Sequence, residues 1–200
     1  MAATLTHISS FAREGTVNAM TWQRKLASII VLSLWLTVLS SGSGTRSAAQ
    51  SPAPKACDGA AYRQFDFWVG DWDAFEVATQ LKDAHVKVER ILDGCVLHEI
   101  YEGADGHKGQ SFSIYDSTRK VWQQTWVTNH GRLLVIEGSL RDGAMVLAGT
   151  DRNPDGAERR VRGTWKPVQG GVRETAVTSL DGGTTWQPWF DLMFRPAQQR

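Results

Sequence analysis

Hydrophobic and polar residues alternate along short segments in the last two thirds of the chain. The segment His85–Leu92 (HVKVERIL) is one example, and apolar residues at every second position indicate a β-strand with one buried face. Turn-forming pairs separate these segments, among them Asp93-Gly94, Asp142-Gly143 and Gly170-Gly171. Such pairs favour the tight turns of β-hairpins. The pattern therefore predicts an all-β, antiparallel meander.

A meander of this length closes into a barrel or folds into a sandwich. We predict an up-and-down barrel of about ten strands. The predicted strands are Asp73–Thr79, His85–Leu92, Cys95–Tyr101, Gln110–Tyr115, Val121–Thr128, Arg132–Leu140, Ala144–Thr150, Arg159–Lys166, Gly171–Ser179 and Trp186–Arg195.

An aromatic run, Phe65–Ala74 (FDFWVGDWDA), leads into the first predicted strand. A short helix is predicted just before it, over Asp58–Phe67. This helix would bring Phe65, Phe67 and Trp68 to the open end of the barrel. We therefore expect aromatic side chains at the entrance to the interior.

The N-terminal segment has the pattern of a secretory signal peptide over residues 1–49. Arg24 and Lys25 precede the apolar stretch Leu26–Leu39, and Ser47–Ala49 supplies small residues for cleavage. The apolar stretch is shorter than the ~20 residues that span a bilayer, and it fits the ~7–15 residues of a signal peptide. An uncleaved membrane anchor is the alternative. Translation starting at Met20 would place the basic residues close to the N-terminus.

The predicted organisation is a signal peptide, a Pro-rich lead-in at 50–61 and a barrel domain at 62–197. Without residues 1–49 the formal net charge changes from +1 to −2. This balance gives no electrostatic reason to bind nucleic acid or anionic lipid. We expect a periplasmic or extracellular protein with no stable membrane insertion after cleavage, and the sequence leaves its oligomeric state open.

Cys57 and Cys95 are the two cysteines of the chain. An even number of cysteines in an oxidising compartment favours a disulfide. Two unconnected cysteines are the alternative. Two cysteines without paired histidines cannot complete a four-ligand zinc site, so no metal site is predicted.

The candidate ligand site rests on aromatic residues. In Val121–Thr128 alternate positions share a face, so Trp122, Gln124 and Trp126 lie together. With Trp68, these indoles could bind a flat apolar molecule, while Gln124 and Glu99 orient it. The alternative is that the tryptophans only fill the barrel core.

Three glutamates, Glu99, Glu137 and Glu174, share strand faces with apolar residues. A carboxylate on a buried face must be paired, protonated or directed at a ligand, because bare burial is costly. Glu99 or Glu174 could therefore act as a general acid or base. The alternative is that each is an ordinary salt-bridged residue or lies at the barrel rim, as such glutamates more often do.

A segment near the C-terminus, Ser179–Trp186 (SLDGGTTW), matches the pattern S-x-D-x-G-x-T-W. It resembles the Asp-box of sialidase-type propellers, where the motif is a structural hairpin. A propeller would need several copies, and this chain has one. We interpret it as a hairpin in which Asp181 caps the turn, and we do not expect sialidase activity.

The start of the first strand, Gly70-Asp71-Trp72, resembles the G-x-W of lipocalins and other calycins. That resemblance implies a Trp72 that plugs the closed end of the barrel and an arginine of the last strand, Arg195, stacked over it. Together with Leu92–Cys95 (LDGC) and Ser179–Trp186, the order of motifs is similar to an uncharacterised family of exported bacterial lipocalin-like domains. The resemblance implies a calycin-type barrel and says little about its ligand.

Nitrobindin-like barrels of similar size bind haem through a histidine near the C-terminus. The last histidine here is His130. Haem binding would therefore need His130, His98 or another type of ligand, and no cofactor is expected.

These observations lead to one main hypothesis and two alternatives. The main hypothesis is an exported barrel that binds a small, largely apolar molecule. The first alternative is a hydrolase or isomerase that uses a cavity carboxylate. The second is a structural or interaction module with a filled core. The volume left inside the barrel distinguishes the last from the other two.

Overall fold

The protein is a closed antiparallel β-barrel, seen in a computed structural model that describes residues 56–152 and 156–198. Each strand pairs with its neighbours in sequence, and β1 pairs with β10 to close the barrel. The predicted all-β up-and-down barrel is therefore confirmed. The strands are β1 Gly70–Glu76, β2 Lys82–Ile91, β3 Val96–Gly103, β4 Lys108–Asp116, β5 Val121–Thr128, β6 Leu133–Arg141, β7 Ala144–Arg152, β8 Glu158–Val168, β9 Gly171–Ser179 and β10 Gln187–Pro196.

The predicted signal peptide and the possible start at Met20 lie outside the described residues, as does the first part of the lead-in. In the described ranges, no helix has the length and apolar character needed to cross a bilayer.

The two ends of the barrel differ in what covers them. Alternate connections of an up-and-down barrel lie at the same end, so the β2–β3, β4–β5, β6–β7 and β8–β9 turns share one end with the segment before β1. Two short 3-10 helices, Ala60–Arg63 and Asp66–Trp68, lie in that segment. We call residues 60–68 the plug, the end they cover the closed end, and the opposite end the open end.

Aromatic packing holds the plug in the barrel. Phe65 is fully buried and Trp68 is 1% exposed. The two rings stack with centroids 5.1 Å apart, and Phe65 meets Trp122 edge-on at 5.7 Å. The expectation that Phe65 and Trp68 lie at the open end is therefore wrong, because the chain enters β1 from the end that they close.

A disulfide between Cys57 and Cys95 ties the segment just before the plug to the residue just before β3, which confirms the predicted pairing. Arg90 of β2 donates from Nη2 to the Tyr62 carbonyl of the plug at 3.4 Å and forms an ion pair with Asp66. A crosslink across this loop contributes roughly 4 kcal/mol in the chain-entropy model. The plug is thus fixed covalently and by side chains of the wall.

Trp72 faces the interior, as the G-x-W resemblance implies, and its indole N–H donates to the Trp68 carbonyl at 3.0 Å. Its ring lies flat over Gly70, where a Cβ atom would come within 2.6 Å of it. Arg195 does not stack over Trp72. It lies on the outer face, over the Phe75 ring at 4.8 Å, because Trp72 pairs with Pro196 in the register and Arg195 points the other way.

Candidate functional site

The interior toward the open end contains a cavity of about 330 Å³. Its wall is rich in aromatic side chains: Tyr101, Trp126, Trp165, Trp189, Phe190 and Phe194. Trp165 also contacts the plug, with its centroid 5.5 Å from that of Phe65 and 5.7 Å from that of Trp68. Trp165 therefore forms the floor that separates the cavity from the packed half.

The mouth of the cavity lies among the open-end loops. Glu76 ends β1, His107 lies between β3 and β4, and Trp189 lies near the start of β10. Trp189 is 41% exposed, and the Arg159 guanidinium covers its ring at 4.3 Å. A molecule from solvent would meet this rim first.

The ionisable wall residues are mostly acidic. Glu76, Asp83, Glu99 and Glu174 line the cavity, and no lysine or arginine does so among the described residues. Asp83 accepts a hydrogen bond from the Tyr101 hydroxyl at 2.6 Å. Burial and this carboxylate neighbour raise the pKa of Tyr101, so its hydroxyl stays a donor.

Glu99 lies deep in the cavity on β3 and is 6% exposed. The Ser111 hydroxyl donates to its Oε2 atom at 2.6 Å. The Gln124 amide donates to the Ser111 and Ser113 hydroxyls at 3.3 and 3.1 Å. Burial raises the pKa of Glu99 to about 7, although the Ser111 hydrogen bond acts in the opposite direction. Near neutral pH this carboxyl is therefore close to half ionised.

Glu174 faces Glu99 from β9, across the barrel interior. Burial is the main cause that raises its pKa well above the usual range, and repulsion from Glu99 and Asp83 adds to it. Trp165, its partner in the β8–β9 register, favours the ionised form and partly offsets these effects. Two carboxyls that repel each other titrate as a pair and resist being ionised together.

The position of Trp126 depends on a glycine in the neighbouring strand. Its ring lies over Gly109, where a Cβ atom would come within 2.2 Å of the indole. Tyr101 meets the same ring edge-on, with centroids 5.8 Å apart. These two contacts hold the indole against the cavity wall.

The structure divides the five predicted ligand-site residues. Glu99, Gln124 and Trp126 line the cavity. Trp68 and Trp122 lie in the packed core at the closed end and outside the cavity lining. Trp122 is 2% exposed, and its indole N–H donates to the Gln64 side chain at 3.1 Å. Trp122 lies on the same inward face of β5 as Trp126, but nearer the closed end, where the plug fills the barrel.

Sequence reasoning missed several wall residues, chiefly Trp165, Trp189, Tyr101 and Asp83. Trp165 and Gly163 alternate on the inward face of β8, and this pattern in the sequence could have indicated Trp165 as a wall residue. The Trp165 ring covers Gly163, where a Cβ atom would come within 2.8 Å of the ring. Glu174 was recognised as a candidate carboxylate. Glu137 lies instead on the exterior, where it accepts a hydrogen bond from Arg119 at 2.6 Å.

Neither of the two histidines considered for haem lines the cavity. His98 is on the outer face, where its ring stacks on Phe112 with centroids 4.8 Å apart. His130 is in an exposed loop, with its Nδ1 atom 3.3 Å from that of His107. No group of three or more side chains suited to a metal ion occurs within residues 56–152 and 156–198.

The segment 179–186 forms a capped turn at the open end, as its motif predicts. The Asp181 carboxylate accepts hydrogen bonds from the Thr185 amide at 2.9 Å and from the Ser179 hydroxyl at 2.7 Å. These bonds hold the pKa of Asp181 well below its usual range. The Trp186 indole donates to the Gly183 carbonyl at 3.0 Å. The role of the motif is structural, and it lies outside the cavity wall.

Together these features define a closed, ten-stranded antiparallel barrel with an internal cavity, an architecture compatible with a calycin-like fold. No protein-family model matches the chain, and a search of curated proteins finds no significantly similar sequence.

Proposed function

We propose that the protein is an exported binding protein that holds one small, largely apolar molecule inside its barrel. The cavity itself carries the proposal, since the barrel leaves about 330 Å³ unfilled behind an aromatic rim. Ligand pockets in proteins typically enclose ~300–1,000 Å³, with mostly apolar walls and a few placed polar groups. A ligand would lie along Trp126 and Phe190 and be oriented by the polar group at Glu99 and Gln124.

The cavity size is sufficient for useful affinity. Burying apolar area contributes about 25 cal/mol per Å². A ligand with a few hundred Å² of apolar surface would therefore bind at micromolar concentration after the costs of association are subtracted. The plug and disulfide hold the wall in place, which reduces the cost of ordering the site.

Two observations support export. The Cys57–Cys95 disulfide suits an oxidising compartment. The basic and apolar N-terminal segment has the composition of a secretory signal peptide. We therefore place the protein in the periplasm or outside the cell, without nucleic-acid partners.

A hydrolase or isomerase is the second candidate, and the chemistry of Glu99 favours it. A carboxyl whose pKa is about 7 can give or take a proton at neutral pH. Glu174 would modulate it by repulsion. Detection by mass spectrometry of a covalent change in a bound molecule would distinguish this candidate from simple binding.

The test is fluorescence titration of the exported protein with N-phenyl-1-naphthylamine, a neutral apolar probe. We expect saturable binding that Trp126→Ala weakens about tenfold or more. Trp186→Ala is the matched control, because Trp186 packs outside the cavity under Arg162. Equal affinity in the two variants, or no saturable binding to the parent protein, would count against the proposed function.

A further inference from the structure

The charge of the cavity wall is one-sided. Four carboxylates line it and no lysine or arginine does so among the described residues. Glu76 and Asp83 lie toward the mouth, and Glu99 and Glu174 lie deeper. Among the described residues, the other titratable groups that line this space are Tyr101, which donates to Asp83, and His107 at the rim. Arg159 lies outside the lining, over Trp189 at the mouth. The wall therefore supplies negative charge without an internal counter-charge.

Glu99 and Glu174 form the deeper pair of carboxyls, and they face each other across the barrel. Glu99 is buried, and Ser111 is its hydrogen-bond donor among the described side chains. Glu174 approaches from the opposite wall and makes no ion pair within the described ranges. Buried carboxylates normally have a cationic partner, because bare burial is costly. A cation between Glu99 and Glu174 would supply that partner.

An unpartnered donor lies beside the pair. Trp165 is 3% exposed, and its Nε1 atom is buried without a hydrogen-bond partner among the described residues. Buried polar atoms are rarely left in this state. Glu174 is its neighbour in the register, and the Trp165 N–H favours the ionised form of that carboxyl. A bound cation would thus complete both groups at once.

The aromatic wall suits the same kind of ligand. Tyr101, Trp126 and Trp165 surround the space next to the carboxyls. The faces of such rings attract cations, and aromatic cages recognise ammonium groups in this way. An anionic ligand such as a fatty acid would instead be repelled, and a purely apolar ligand would leave Glu99 and Glu174 without a cationic partner.

We propose that the ligand is a small amine with an apolar body, whose ammonium group lies between Glu99 and Glu174. This inference rests on the proposed function and specifies the class of molecule that the cavity binds. The apolar body of the ligand extends toward Trp126 and Phe190, and the mouth carboxylates at Glu76 and Asp83 favour entry of the cation.

The test compares three probes of similar size on the exported protein: 2-phenylethylamine, 2-phenylethanol and 3-phenylpropanoate. Calorimetry at pH 8 should show the amine binding about tenfold or more tightly than the alcohol, with no binding of the carboxylate. At pH 5 the preference for the amine should shrink. The amine stays protonated at both pH values, because alkylammonium groups titrate near ~10, so this change reports the carboxyls of the protein.

Variants separate the role of charge from that of shape. Glu99→Gln and Glu174→Gln should each remove most of the preference for the amine while the alcohol still binds, which also shows that the variant is folded. Glu102→Gln is the control, since Glu102 is an exposed β3 residue near Lys108, and it should retain the preference.

The outcomes distinguish the inference from the function on which it rests. Alcohol binding as tight as amine binding, or a preference that survives both glutamine substitutions, overturns the amine inference and leaves the binding function intact. Binding of N-phenyl-1-naphthylamine without binding of 2-phenylethylamine also overturns the amine inference and leaves the binding function intact. Failure of all four probes overturns both.

Discussion

The closed and open halves of the barrel are built from the same strands but differ in how they use their interiors. Toward the closed end, Phe65, Trp68 and Trp122 pack ring against ring and leave the core filled. Toward the open end the wall is equally aromatic but encloses a cavity, and Glu99 and Glu174 line that cavity without a cationic partner among the described residues. Such carboxyls do not stabilise a core, because burying a charged group without a partner is costly. The difference indicates that one half holds the fold and the other binds a ligand.

Truncating an aromatic residue in each half should separate these roles most strongly. Phe65→Ala should lower the free energy of unfolding by about 3–5 kcal/mol, because it removes a fully buried ring from a packed core. Trp189→Ala should change it little, since Trp189 is partly exposed at the mouth. Urea denaturation measures both. A larger loss for Trp189→Ala would contradict the division.

The disulfide belongs to the closed half and should matter for stability alone. The double variant Cys57→Ser, Cys95→Ser should lose roughly 2–4 kcal/mol of unfolding free energy, because the unfolded chain gains entropy without the crosslink. Probe affinity at a temperature where the variant is fully folded should stay near that of the parent. A variant that keeps its stability but loses binding would reverse this assignment.

The buried carboxyl of Glu99, in the open half, should make the stability of the protein depend on pH. The folded pKa of Glu99, about 7, lies above the ordinary value of 4.5 for this side chain in an unfolded chain. Between these values the folded state binds more protons, so Glu99 makes stability fall as pH rises from 4.5 to 7. Glu174, whose pKa is also raised, acts in the same direction. We expect a loss of about 1–3 kcal/mol across this window.

Denaturation of the ligand-free protein at pH 5 and pH 8 measures that loss. Glu99→Gln should weaken the pH dependence, leaving the part that comes from Glu174, while Glu102→Gln should keep it unchanged. A parent protein that is more stable at pH 8 than at pH 5 would show that another group dominates.

The smallest expected effect concerns the support of Trp126. Gly109→Ala places a methyl group where the indole now lies, since the Cβ position is 2.2 Å from the ring. The ring must shift toward the cavity, so affinity for N-phenyl-1-naphthylamine should fall a few-fold while stability changes by about 1 kcal/mol. Gly143→Ala offers a control at a turn with open space around the Cβ position, although its positive φ of 76° adds a small strain of its own.

The fold was largely predictable because its signals are local. Alternation at every second residue and turn pairs such as Asp142-Gly143 define strands without knowledge of distant contacts. The first strand was placed too late, at Asp73 instead of Gly70, since the aromatic run before it reads equally well as helix or strand. The two cysteines in a predicted exported domain were enough to predict their pairing.

The site was predictable only in part, because periodicity indicates the face of a strand and not the depth within the barrel. Trp122 and Trp126 share the inward face of β5, yet one packs under the plug and the other lines the cavity. The error at Arg195 has a related cause: the register between β1 and β10 decides which way it points, and a single sequence does not specify that register. The facing positions of Glu99 and Glu174 also depend on how strands distant in sequence are arranged around the barrel.

The most direct test of the central claim is native mass spectrometry of the protein exported into an oxidising compartment, titrated with N-phenyl-1-naphthylamine. We expect one small molecule per chain, either retained from the cell or taken up as probe, and a Trp126→Ala variant that holds it more weakly. A chain that carries no molecule and takes up no probe would contradict a ligand-binding cavity.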